Sequence, residues 1–284
     1  MEHRLLGSQD AALLESFLVQ YRDSSMFLRA NSRRAGLVDH GQMWQATYVG
    51  AFRARHLIGV AAHAWNGMVM VQAPDDGLAE AVRACVALSG REVGGFSGPL
   101  EQVAEARAAL GLEHAPTRLD EVEGLYSLDL QQLKLPEALT SGRVGWRPPR
   151  PAERATLCGW RVEYDVEVLG STRSEEARRH ATEFLDQQLA DGNVWVAADG
   201  DEPVSLSAFN AALPDIVQLG GIYTPPALRG RGYCKVAVAG SLLAAQQRGV
   251  TRSVLFTRNP SAVRSYEAVG YRLVGDYALV LLAH

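Results

Sequence analysis

Two arginines and two glycines alternate in Arg229-Gly230-Arg231-Gly232, directly after the apolar run Ile222-Tyr223-Thr224 with its proline pair and directly before an alanine-rich stretch opening Tyr233-Cys234. A strand that passes through a glycine-punctuated turn into a helix makes a seat for phosphate. The first turn of a helix has backbone N–H groups without intrahelical acceptors and carries the positive end of the macrodipole, so an anion there meets several donors at once. Gly230 and Gly232, lacking a Cβ, let the backbone approach a ligand and take positive φ, and Arg229 and Arg231 add planar forks of donors suited to phosphate. No Gly-Lys-Ser/Thr closes the loop and no third glycine follows at Gly-x-Gly-x-x-Gly spacing, which excludes the two commonest nucleotide patterns. Taken alone, the glycines also suit an ordinary turn.

A second segment, Asn259-Pro260-Ser261-Ala262-Val263-Arg264-Ser265-Tyr266-Glu267-Ala268-Val269-Gly270-Tyr271, lies one helix and one strand downstream. In this order the two segments resemble the GNAT superfamily of acyl-coenzyme-A-dependent N-acetyltransferases. The family's Arg/Gln-x-x-Gly-x-Gly/Ala loop falls on Arg229, Gly232 and Cys234, with cysteine at the last small position. Its Asn-x-x-Ala-x-x-x-Tyr-x-x-x-Gly-Phe/Tyr segment falls on Asn259, Ala262, Tyr266, Gly270 and Tyr271. The resemblance covers the C-terminal half. It implies acetyl-CoA as cofactor, its pyrophosphate held by Arg229, Gly230, Arg231, Gly232, Tyr233 and Cys234, and its pantetheine arm by Ile222, Tyr223, Thr224 and Asn259. It further implies acetyl transfer to a primary amine of a small-molecule or peptide acceptor by direct attack in a ternary complex, with Tyr266 giving a proton to the leaving thiolate.

Such chemistry sets its own requirements. An alkyl ammonium has a pKa of about 10.4, so exposing its lone pair near neutrality costs roughly 4–5 kcal/mol and calls for a base or a desolvated pocket. Glu163, Asp165 and Glu167 cluster in a region that lines the acceptor site in the family, and Glu163 or Glu167 is the expected base, relaying through water. Each assignment has a plainer counterpart. Tyr266 shares helical spacing with Val263 and Val269 and suits a buried face equally, Asn259 before Pro260 is a complete N-cap, and Gly220-Gly221 inside a strand marks either a ligand's close approach or a bulge. A catalytically silent acyl-CoA-binding or sensor protein is therefore the alternative to an enzyme.

The elements that must position these residues occur twice. In the C-terminal half, strands over 194–198, 204–209 and 216–224, a helix over 232–247, a strand over 253–256, a helix over 262–269 and strand sequence over 271–282 give the order β-β-β-α-β-α-β. In the N-terminal half, strands over 46–52, 56–63 and 68–72, a helix over 78–88, a strand over 92–96, a helix over 100–110 and a strand over 124–130 repeat it. Helical sequence precedes each copy, at 11–21 and at 152–161 and 174–189. Pro148-Pro149-Arg150-Pro151 marks a linker. The fold class is thus α/β (α+β): two tandem GNAT-like domains, each a mixed, mostly antiparallel sheet flanked by helices, with boundaries at 1–135, a linker at 136–151, and 152–284. The first copy carries Ala73-Pro74-Asp75-Asp76-Gly77 where the second has its arginine loop, and two carboxylates there repel a pyrophosphate. That copy is expected to be degenerate.

Composition narrows the rest. The chain has 284 residues, 47% of them hydrophobic, and a formal net charge of −4, which offers no basic field for nucleic acid. Its three cysteines are dispersed and form no metal-ligand spacing, and neither a signal-peptide core nor a membrane-length apolar run occurs. The expectation is a cytoplasmic monomer or homodimer with no metal, no nucleic acid and no membrane partner, acting on a small amine.

Overall fold

The computed structural model describes residues 1–283. Contacts divide the chain into two compact units, Met1–Leu125 together with the segment from Gly275 onward, and Tyr126–Val274. No helix among the described residues is long and apolar enough to cross a membrane.

The first unit contains β1 (Glu2–Leu5), α1 (Ala11–Leu18), α2 (Met26–Ala35), β2 (Ala46–Arg53), β3 (His56–Ala64), β4 (Met68–Gln72), α3 (Leu78–Ser89), β5 (Gly95–Pro99), α4 (Leu100–Ala109) and most of β6 (Thr117–Asp129). β2 and β3 form a hairpin whose two turn residues, Ala54 (φ +46°) and Arg55 (φ +70°), take the positive φ that a two-residue turn between twisted strands requires. β3 pairs antiparallel with β4, and β4 pairs parallel with β5 across α3. α3 buries Leu78, Ala81, Val82 and Cys85, a spacing that puts all four on one face, against Val49, Val69 and Phe96 of the sheet.

The second unit contains α5 (Glu137–Thr140), β7 (Gly145–Arg147), α6 (Arg154–Leu169), α7 (Glu175–Ala190), β8 (Val194–Asp199), β9 (Glu202–Ala212), β10 (Ile216–Tyr223), α8 (Tyr233–Gln247), β11 (Arg252–Thr257) and α9 (Pro260–Val269), followed by β12 (Arg272–Leu282). β8, β9 and β10 are successively antiparallel, and β10 runs parallel to β11 across α8. α8 is buried on almost every face, as expected of its run Val236-Ala237-Val238-Ala239. The core gathers Trp195, Phe209, Leu219, Leu242 and Tyr271, with Trp195 and Phe209 in a tilted ring contact at 4.6 Å that contributes about 0.5–1.5 kcal/mol beyond area burial.

The repeated element order is present, but the closing strands and the boundary differ from the sequence division. β12 pairs antiparallel with β5, from Tyr277 opposite Pro99 to Leu281 opposite Gly95, and its Ala278 and Val280 belong to the first unit's core. Tyr126, Leu128 and Leu130, at and just after the end of β6, belong to the core of the second. The expected linker at 136–151 is also structured. β7 pairs with β8, Val144 is fully buried, and Trp146 packs on α8 so closely that a Cβ at Gly240 would lie 2.4 Å from its ring. The prolines that suggested a break sit just beyond this short strand.

Candidate active site

The site grows from the C-terminal ends of β10 and β11. Among the described residues the two strands pair from Ile216 opposite Arg252 to Gln218 opposite Val254. β10 then shifts register against β9, between Gln218 and Leu219 and again between Gly220 and Tyr223, and Gly221 takes φ +63°. Side chains fit poorly at this bulge: a Cβ on Gly220 would strike the Asn210 amide, and one on Gly221, strained at its positive φ, would lie 3.2 Å from Arg161 Nη1. Beyond the strand, Gly230 (φ +78°) and Gly232 (φ +83°) turn the chain into α8, and no side chain caps that helix at Gly232. Its first amides are therefore open to a ligand. A cavity of about 350 Å³ lies against Gly230, Arg231 and Gly232.

The two loop arginines have different surroundings. Arg229 donates from Nη2 to Glu167 Oε2 at 2.6 Å and from Nε to the Thr224 carbonyl at 2.9 Å, with its guanidinium 5.6 Å from the centre of the Tyr223 ring. Tyr223 in turn donates from its hydroxyl to Glu167 Oε1 at 3.2 Å. Arg229 thus ties α6 to the end of β10, while Arg231 is exposed and has no ion pair among the described residues. Burial first, and then the Glu167 carboxylate, pushes the Tyr223 phenol above its ordinary range, so it remains a donor.

Of the expected bases, Glu163 is held by Arg173 at 2.7 Å and Glu167 by Arg229, both with over a third of the side chain exposed. The third carboxylate of that run is the enclosed one. Asp165 pairs with Arg161 at 3.0 Å, and burial raises its pKa in spite of the guanidinium. Arg161 is itself buried, 4.5 Å from the centre of the Phe184 ring, with Nε and Nη1 lacking hydrogen-bond partners among the described residues. Asp165 belongs to the acidic cluster read from the sequence, whereas its buried partner Arg161 was not singled out there. Their i,i+4 spacing was the available signal.

The other expected residues are placed as follows. Asn259 caps α9, its Oδ1 accepting from the N–H groups of Ser261 and Ala262. Tyr266 lies on the buried face of α9, edge-on to Tyr271 at 6.0 Å between ring centres. The Tyr233 hydroxyl donates to Asp199 Oδ2 at 2.5 Å. Thr224 shares a 2.8 Å hydrogen bond with Ser205, and Ile222 packs on the core. Burial pushes the Cys234 thiol up to about 11, so it sits at the helix start as a small neutral group. In the first unit, Gly77 (φ +98°) starts α3 in the same left-handed conformation, but the cavity beside it, about 810 Å³, is lined by Asp75, Asp76, Glu101, Glu105 and Asp276, with Arg53 drawn to Asp76 at 3.4 Å. No group of three or more His, Cys, Asp or Glu residues among those described is placed to hold a metal ion.

Residues 155–271, which contain this strand, loop and helix, match the model of the acetyltransferase (GNAT) family. Solved structures extend the GNAT fold to the whole chain. A Drosophila protein superposes with a TM-score of 0.67 at 12% identity, covering 99% of this chain and 98% of its own. A GCN5-related N-acetyltransferase from Sphaerobacter thermophilus gives 0.59 at 17%, covering 98% and 94%. A tandem GNAT protein from the clavulanic acid biosynthesis pathway gives 0.57 at 11%, covering 99% and 98%. At these identities the likeness is one of fold. No curated protein matches the sequence.

Proposed function

We propose that the protein is an acetyl-CoA-dependent N-acetyltransferase that acts on a primary amine of a small acceptor, by direct attack in a ternary complex. The observation that carries this reading is the parting of β10 and β11 beside a glycine bulge, with the uncapped start of α8 at its mouth. Ligands of parallel α/β segments lie beyond the carboxyl ends of the strands, where the chain turns into helices. The amides that begin α8 would hold the pyrophosphate with Arg231, and the edge of β10 from Gly221 to Tyr223, which is not paired with β11, would take the pantetheine. Acetyl-CoA supplies the acyl group as a thioester.

The remaining roles belong to the chain's own groups. A backbone N–H at the bulge is the donor we assign to the negative charge that develops on the acyl oxygen, and a preorganised donor of this kind contributes about 2.7–4 kcal/mol in related acyl chemistry. All three carboxylates are held in ion pairs, and we assign the ammonium proton to Asp165 because it is the most enclosed of them and burial raises its pKa against the pull of its Arg161 partner. Tyr266 is the proton donor to the departing sulfur. The first unit, with carboxylates beside the matching helix start, serves as a non-catalytic partner domain in a cytoplasmic enzyme.

A silent acyl-CoA-binding protein is the second reading, favoured by those same ion pairs on Glu163 and Glu167. Thiol release from acetyl-CoA, followed over a panel of small amines, decides between them. Amine-dependent release is expected, and binding without release under every amine would establish the silent reading.

A further inference from the structure

The cavity beside the glycine loop has a second wall. Its lining combines Gly230, Arg231, Gly232 and Lys235 with residues 136–143, where α5 and the turn after it bring up Ser141 and Arg143. Arg143 precedes the residues that match the family model, so that match assigns it no role. Three cations, Arg143, Arg231 and Lys235, share this space with one carboxylate, Glu137. None of the three has an ion pair or side-chain hydrogen bond among the described residues, whereas the neighbouring Arg147, Arg150 and Arg229 are each matched to a carboxylate. Like charges gathered without counter-charge repel one another, and an anion in their midst removes that cost.

The pyrophosphate accounts for only part of this field. It is met by the helix-start amides and by Arg231, and Arg143 and Lys235 then remain. Coenzyme A carries one more phosphate, the 3′-monoester on its ribose, which is close to dianionic at neutral pH because its second pKa is about 6. Two cations matched to a dianion is the complement found here. Resting on the acyl-CoA reading above, we infer that Arg143 and Lys235 recognise the 3′-phosphate and make this site selective for 3′-phosphorylated coenzyme A over its dephospho form.

Calorimetric titration of the full chain with CoA and with dephospho-CoA tests this, on the native protein and on the Arg143→Gln/Lys235→Gln variant, with thermal melts to confirm that the variant is folded. The native protein is expected to bind CoA at least tenfold more tightly than dephospho-CoA. The variant should lose that ratio by weakening for CoA alone, and added salt should narrow the native gap. Equal native affinities for the two ligands would overturn the inference while leaving the acyl-CoA reading standing. A variant that weakens equally for both would assign the two cations to the pyrophosphate and overturn it as well. Failure of the native chain to bind either ligand would remove the underlying reading.

Discussion

Gly232 and Gly249 stand at opposite ends of the same helix with nearly the same backbone, φ +83° and φ +84°, and both face space that a methyl group can enter: Lys235 Cε lies 3.7 Å from a Cβ at Gly232, and nothing lies within 4 Å of one at Gly249. Alanine at either position therefore costs backbone strain alone, about 1–2 kcal/mol for an L-residue held in the left-handed region. At roughly 2–4 °C per kcal/mol for a domain of this size, each variant should melt about 2–8 °C below the native protein. The two differ in what they face. Gly232 lines the ligand cavity and Gly249 closes the far end of α8. Gly232→Ala should weaken acetyl-CoA at least tenfold by calorimetry, about 1.4 kcal/mol, and Gly249→Ala should leave affinity unchanged. Gly232→Ala with the expected loss of stability and native affinity would show that this glycine serves only the turn, and the phosphate-seat argument would fail at its first step.

Tyr266→Phe keeps the ring in the core and should lower kcat about 100-fold with little change in KM or melting temperature; unchanged turnover would return Tyr266 to a packing role. Asp165→Asn strands the Arg161 guanidinium and should cost about 3–5 kcal/mol. Arg161→Met/Asp165→Leu should recover most of that stability without recovering turnover, and an active double variant would exclude Asp165 as the base. With Asp165 raised, kcat/KM should fall as the pH drops through a value above the ordinary carboxylate range. Gly240→Ala drives a methyl group into Trp146 and should destabilise by about 1–3 kcal/mol, which a flexible linker at 136–151 would not. In the first unit, Asp39 has a pKa of about 2: burial pulls it up, but the Arg91 hydrogen bond, with help from the Gly41 N–H and the Thr47 hydroxyl, outweighs burial. A carboxylate depressed in this way contributes about 2 kcal/mol above its unfolded pKa of about 3.9 and loses it as pH falls toward 2; denaturant melts of native and Arg91→Ala protein over that range should converge at the acid end.

The strand and loop of the candidate site were legible because their signal is local: glycines at a strand-to-helix junction report a backbone conformation, and Gly230 and Gly232 both take positive φ. The repeated order was legible from hydrophobic periods. The exchange of closing strands was not, because the alternation in β12 states that one face is buried and says nothing of which strand it pairs with. α2 escaped notice because its buried face carries Arg29 and Asn31, with Arg29 matched to Glu15 at 2.7 Å, where a periodicity search looks for apolar residues. The partner of Arg229 was hidden for a related reason. Glu167 lies more than sixty positions away in sequence and meets it only through the packing of α6 against β10.

The most direct test is a calorimetric titration of the full chain with acetyl-CoA. Saturable binding with one site per chain is expected, because among the described residues the start of α8 is lined by cations and the matching start of α3 by carboxylates. No binding, or two sites per chain, would contradict it.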